Sequence, residues 1–453
     1  MTMPTLNELS ISIPETSLKR VVIVGGGFGG IEFAKLLSDK DFQVVLIDRH
    51  NYHTFQPLLY QVATAGLEAD SIAAPLRQMF EEKKNFHFRM AMVNEVRPEQ
   101  NTICTSIGNL NYNVLVLAVG SKSNYFGNQE LPKTSFPLKQ VPQALDLRSH
   151  VLQNFERAVV SNDPAEREGL LNYVMVGGGP TGVEMAGAFA ELKKHVLPCD
   201  YPELDFRQMQ IYLIEGGDRV LGSMSEKSSK NALDALLEMG VNVKLNTIVK
   251  DYDGQTATLK DGATLKTNTL VWAAGVQGNM LPGIKEESIF KSRLRVDDQN
   301  RVLGYDNLYA LGDIAAHITE KTPNGLPMLS PVAMQQGRHL ARNLNGQAKG
   351  KLMKPFEYFD KGSMATIGRN RAVVDMPNGM HLKGFIAWLA WMFIHIFYLI
   401  GFRSKVMVFI NWVWSYFTYD KGTRLIIRPF VNPNNPIPHV AANTPADESV
   451  AVK

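Results

Sequence analysis

Short β-branched apolar runs, each ending at a glycine or an acid, alternate with amphipathic stretches along most of this chain. That rhythm predicts buried parallel strands joined by helices. Residues 21–24 predict a strand followed by a helix to about Leu37, and Gln43 to Ile47 predicts a second strand ending at Asp48. Tyr112 to Gly120 reads as a fully buried strand ending at glycine, and Thr269 to Gly275 repeats it. A helix over 183–196 precedes a strand at Ile211–Ile214 that ends at Glu215. Leu308 to Ala315 predicts a short strand delivering Gly312-Asp313 to a helix start. Asn51 to Arg77 lacks a clean period and reads as a loop and helix covering a ligand.

One glycine-rich run is written twice. Val22 to Ala34 contains Gly25, Gly26, Gly27, Phe28, Gly29 and Gly30, and Val174 to Ala186, offset by 152 residues, contains Gly177, Gly178, Gly179, Pro180, Thr181 and Gly182. A strand ending in G-x-G-x-x-G and opening into a helix places a pyrophosphate on backbone N–H groups at the helix N-terminus. Two copies predict two dinucleotides in two doubly wound domains. Asp48, with Arg49 beside it, stands where an acid accepts bonds from ribose hydroxyls; a turn aspartate is the alternative. Glu215 holds that place in the second copy and would repel a 2′-phosphate, favouring NADH over NADPH. Gly312 and Asp313 are candidates to hold a flavin's polyol and phosphate, or else a simple N-cap. Because this signal follows the second copy, the chain is expected to return and finish its first domain, making the NAD domain an insertion.

The 453 residues suit two or three domains, and 45% hydrophobic with 20% charged residues is ordinary for a globular protein. The net charge of +3 conceals an asymmetry, because residues 351–430 hold 11 Lys or Arg against 4 Asp or Glu. Only Cys104 and Cys199 are present, which excludes a close-spaced redox dithiol and fits a reducing compartment. The N-terminus lacks the apolar core of a secretory signal, so the soluble domains are expected in the cytosol. No metal and no nucleic-acid partner is expected.

Within the basic tail, Phe385 to Ile400 is a strongly apolar run, Val406 to Ile410 follows, and four of the five tryptophans lie between 388 and 414. Trp and Tyr beside Lys and Arg mark a membrane interface. A helix over 385–402 would be about 27 Å long, just short of a hydrocarbon core. A single span remains open, but the short, positively flanked run and the amphipathic segment at 406–419 favour an anchor lying on the bilayer. His395 and Lys405 lie near the apolar face, in an interfacial or packing role unless they serve a ligand.

Together, the GGGFGG start, FQPLLYQVATAG at 55–66, GGGPTGVEMAGAFAEL at 177–192, ALGDIA at 310–315, AMQQG at 333–337 and the aromatic tail resemble the type II NADH dehydrogenases. The resemblance covers roughly residues 19–430. It implies an α/β fold of two Rossmann-like domains with a C-terminal amphipathic membrane-anchoring region. The FAD-binding domain would comprise 18–125 and 290–348, the NADH-binding domain 126–289 and the anchor 349–433, with flexible termini at 1–17 and 434–453. It also implies FAD held by Gly25 to Gly30, Asp48, Arg49, Val93, Gly312 and Asp313, and NADH held by Gly178 to Gly182, Glu215, Ala274 and Gly275. Glu184, read as lying in the first turn of its helix, would handle protons; the alternative is a dipole-stabilising role, since Glu32 matches it in the first copy. The family pattern A-Q-x-A-x-Q-x-G reads Ser330-Pro-Val-Ala-Met-Gln-Gln-Gly337 here. Pro331 removes the first glutamine's amide, leaving Gln335 as the expected catalytic partner.

The expected function is a homodimeric enzyme on the cytoplasmic face of the cell membrane, touching lipid through 384–419. It would carry electrons from NADH through FAD to a membrane quinone, ubiquinone or menaquinone, without pumping protons. A soluble flavoprotein reductase of a protein carrier, with the tail as dimer interface, and a redox-responsive binding protein are the alternatives.

Overall fold

A computed structural model describes residues 10–431. Two five-stranded parallel sheets organise it. The first runs Leu308–Ala310, Val114–Leu117, Lys19–Val24, Phe42–Asp48, Phe86–Met90. The second runs Phe136–Pro137, Thr269–Trp272, Tyr173–Val176, Ile211–Ile214, Asn242–Lys244. Both faces of the first sheet are covered: Val22, Val24, Val45 and Ile47 enter one apolar core, and Val21, Ile23, Val44 and Leu46 another. This explains why its strands read as continuous apolar runs.

Leu308–Ala310 pairs with Val114–Leu117 of the first sheet, although the whole second sheet lies between them in sequence. The chain leaves and re-enters through an antiparallel pair, Ser121–Ser123 on Val276–Gly278. The return comes earlier than the expected boundary at 289: Met280, Leu281 and Ile284 already pack on the first domain's core. The expected loose N-terminus is also corrected in part. Ile11 and Ile13 are buried, and the Ile11 N–H donates to the Asn109 carbonyl at 2.8 Å. The expected flexible stretch 434–453 lies outside the described residues.

Seven helices position the site: α1 (Phe28–Leu36), α2 (Leu59–Ala63), α3 (Val141–Val160), α4 (Pro180–Glu191), α5 (Ser330–Gln347), α6 (Gly384–Tyr398) and α7 (Phe402–Thr418). A π-helical turn, Leu192–Val196, continues α4. The C-terminal region is not a separate unit. Trp391, Val408 and Trp412 share one apolar core with α2, α3 and α4. Gly187 of α4 lies so close to the Ile367 carbonyl that any Cβ would collide with it.

Phe385, Ile386, Leu389, Phe393 and Phe397 on α6, and Phe402, Phe409, Ile410, Trp414 and Phe417 on α7, face outward and are exposed. Gly401, at φ +87°, turns the chain between the two helices. The continuous helix over 385–402 is therefore not formed. Among the described residues no helix is long and apolar enough to cross a membrane.

Candidate functional site

The two glycine motifs fold alike. Gly25 and Gly177 adopt φ of +109° and +111°, and a Cβ on either would strike the main chain just past the neighbouring strand, at Ala118 or Ala273. Gly30 and Gly182 are packed against the carbonyls of Gly25 and Gly177. Gly27 and Gly179 have open space where a Cβ would stand, so each loop keeps its middle glycine free for the close approach of a phosphate. Pro180 opens α4 at its first position, where its missing N–H costs no helical bond.

Each motif is braced by the acid expected for it. Asp48 Oδ2 accepts from the Gly26 N–H at 2.6 Å, and Glu215 Oε2 accepts from the Gly178 N–H at 2.5 Å. Arg49 is exposed beside Asp48, and Val93 is buried just beyond Ala91, whose N–H donates to the Asp48 carbonyl at 2.9 Å. Thr181 and Ala274 are half-buried and Gly275 exposed, with a φ of +85°. Phe28 meets His53 and Phe55 edge-on at 5.0 and 5.8 Å.

Gly312-Asp313 does not open a long helix. It forms a single 3-10 turn, Gly312–Ile314, followed by a strand at Ala315–His317, while α5 begins only at Ser330. Asp313 Oδ2 accepts from Ser121 Oγ at 2.5 Å, and Lys139 Nζ reaches the same hydroxyl at 3.3 Å. The Gly312 N–H donates to Gln336 Oε1 at 2.8 Å. Gln335 was the expected partner, but both its amide atoms bond the Phe359 main chain, at 2.9 and 3.0 Å. Gln336 is the buried neighbour that faces the loop. The signal was available: Val332, Ala333, Gln336, Gly337 and Leu340 make one buried face of α5, and Gln335 lies off it.

Buried polar atoms around the first loop lack a partner among the described residues. His53 Nδ1 donates to the Gly26 carbonyl at 3.0 Å, yet its Nε2 is unpaired, as is Gln336 Nε2. Burial pushes the His53 imidazole down to about 4, so it is neutral at physiological pH. Unpaired buried atoms beside an open glycine loop fit a polar dinucleotide such as FAD.

Glu184 is the fifth residue of α4, not a first-turn residue, because the helix starts at Pro180. A helix-dipole role is weakened accordingly, since that effect fades beyond the first turn. Its side chain is buried, and that burial lifts the carboxyl to about 8 against the smaller pulls of the Thr366 N–H and the Trp391 indole. It lines a cleft walled by Tyr60, Thr366, Trp388, Trp391, Met392 and Trp412. Gln61 ties two walls together: its Nε2 donates to Tyr60 Oη at 2.8 Å and its Oε1 accepts from Trp412 Nε1 at 2.7 Å. His395 and Lys405 each bond a main-chain carbonyl of α6. His395 Nδ1 donates to the Trp391 carbonyl at 2.7 Å, and Lys405 Nζ to the Phe397 carbonyl at 2.9 Å.

Residues 19–337 match the model of the pyridine nucleotide-disulphide oxidoreductases, and residues 361–418 match that of the NDH2 C-terminal domain. The type II NADH:quinone oxidoreductase Ndh of Mycobacterium tuberculosis is 35% identical over 422 residues, covering 89% of each chain. The chain belongs to the type II NADH:quinone oxidoreductases. A Haemophilus influenzae member is 30% identical over 395 residues, covering 80% of this chain and 88% of its own. The structure of NDH2 from Plasmodium falciparum in complex with NADH superposes with a TM-score of 0.83 at 22% identity, over 90% of this chain and all of that one. As a type II NADH:quinone oxidoreductase, the enzyme oxidises NADH and reduces a quinone, with FAD as its cofactor. The alternative of a soluble reductase for a protein carrier is not favoured.

Proposed function

We propose that the quinone enters from the lipid surface through the cleft at Glu184, and that Glu184 hands it a proton. One observation carries this reading: the cleft's outer walls, α6 and α7, turn Trp388, Trp391 and Trp412 toward Glu184 while their opposite faces are exposed and apolar. An isoprenoid quinone needs such a passage, apolar at the lipid end and able to donate a proton at the other. FAD, when bound, would supply the two-electron chemistry between NADH and the quinone. Gly25 to Gly30, Asp48 and Asp313 would hold it, with Gln336 fixing the turn at Gly312. Gly178 to Gly182 and Glu215 would orient NADH. A carboxyl protonated up to about pH 8 holds a transferable proton at neutral pH, which water-exposed Glu would not.

The lipid surface is proposed to meet residues 384–419, on the cytoplasmic face of the cell membrane, and the enzyme is proposed to work as a homodimer. Met392→Trp tests the passage by narrowing the cleft. The expected result is a quinone KM raised severalfold with NADH–ferricyanide activity retained; an unchanged quinone KM would overturn the placement.

A further inference from the structure

Quinone reduction consumes water's proton as well as the cofactor's electrons. The balance is NADH + H+ + quinone → NAD+ + quinol, so one proton per turnover must reach the buried site from outside. Glu184 is buried, only 8% exposed, and must be reloaded each time. The same cleft supplies a second carboxylate. Glu184, Ala188 and Glu191 all line it, at the i, i+4 and i+7 positions of α4 and its end, which places them along one helix face. Seven residues of helix separate the two carboxylates by about 10 Å. Tyr60 lines the same cleft, and its hydroxyl feels the charges of both carboxylates.

The outer end has a different character. Glu191 is half-exposed, and Arg369, Tyr416, Tyr419 and Lys421 complete that end of the cleft. The Arg369 guanidinium lies 3.3 Å from the Tyr419 ring centre, whose other neighbour is His195 at 4.0 Å. His195 belongs to the π-helical turn that follows Glu191, an irregularity often found at functional sites. The bland role for Glu191 is to cap a hairpin, because Oε1 accepts from the Arg369 N–H. A glutamine keeps that acceptor and removes the proton.

We propose that Glu191 is the outer station of a proton relay, taking a proton from water beside Lys421 and passing it along the cleft, by way of the Tyr60 hydroxyl and enclosed water, to Glu184. The inference rests on the quinone cleft proposed above. Glu191 acts through Glu184 and touches neither quinone nor cofactor.

Glu191→Gln in the FAD-loaded enzyme tests it, with Glu191→Asp as the conservative variant. Quinone turnover is expected to fall roughly tenfold or more, with a larger solvent isotope effect. Flavin bleaching by NADH and ferricyanide reduction, which takes up no proton, should stay within about twofold. Glu191→Asp and added acetate should each restore turnover. Glu184→Gln with Glu191→Gln should be no slower than Glu184→Gln alone. Equal losses with quinone and ferricyanide, or quinone turnover within about twofold of wild type, would overturn the relay. Quinone binding, followed by quenching of Trp388, Trp391 and Trp412 fluorescence, gives a readout apart from turnover. It should be unchanged in Glu191→Gln. If a short-chain quinone fails to quench even the wild-type enzyme, the cleft assignment itself falls, and the relay with it.

Discussion

Glu32 and Glu184 stand at the same step of the two glycine motifs and have opposite surroundings. Arg338 Nε of α5 lies 2.5 Å from Glu32 Oε2, whereas among the described residues no cation pairs with Glu184. The first is an ion pair locking α1 to α5. The second is a buried acid held neutral by desolvation, the state required of a proton donor.

Stability should therefore depend on pH through Glu184. Above the ordinary carboxyl value of 4.5 the unfolded chain loses this proton, while the folded protein retains it to about 8. Stability is thus lost as pH rises across that window and is level beyond it. Glu184→Gln removes the titration. Its melting temperature should exceed wild type at pH 8 and match it near pH 4.5, while its quinone turnover falls. Parallel melting curves at every pH would show that Glu184 titrates normally.

Gln336 and Gln335 should separate cleanly. Gln336→Leu leaves the buried Gly312 N–H without its acceptor, a loss of about 1–3 kcal/mol, so FAD should dissociate roughly tenfold or more readily. Gln335→Ala releases only the Phe359 main chain and should keep FAD. Flavin release on dilution, read by fluorescence, checks both.

Glu215 should set the choice of nucleotide. Glu215→Gln keeps a polar brace on the Gly178 loop and removes the charge that repels a 2′-phosphate. The NADH-to-NADPH ratio of kcat/KM should fall by about tenfold. A ratio unchanged from wild type would assign the preference elsewhere.

Trp412 and Gln61 should be energetically coupled, since their bond joins α7 to α2. A double-mutant cycle of Trp412→Phe and Gln61→Leu should give about 1 kcal/mol. Independent effects would mean that the two walls are held by packing alone.

Phe393→Glu with Phe417→Glu should abolish flotation with liposomes while flavin stays bound, because both side chains point outward, 69% and 78% exposed. Deleting the tail is a poorer test. It would strip Trp391 and Trp412 from the main core and uncover Glu184.

The sequence by itself determined the two glycine-rich loops, the strand-end acids Asp48 and Glu215 beside them, the return of the chain at Leu308 and the amphipathic tail. These are local signals: a turn's need for glycine, a strand's end, a helix's apolar face, each written within a few residues. Only the tertiary structure decided that Glu184 is buried and Glu32 ion-paired, because the deciding neighbours, Trp391 and Arg338, lie hundreds of residues away. It also decided that Gly312-Asp313 makes one turn and that the tail belongs to the core. Desolvation and ion pairing depend on what packs from outside an element, and the period of that element carries no record of it.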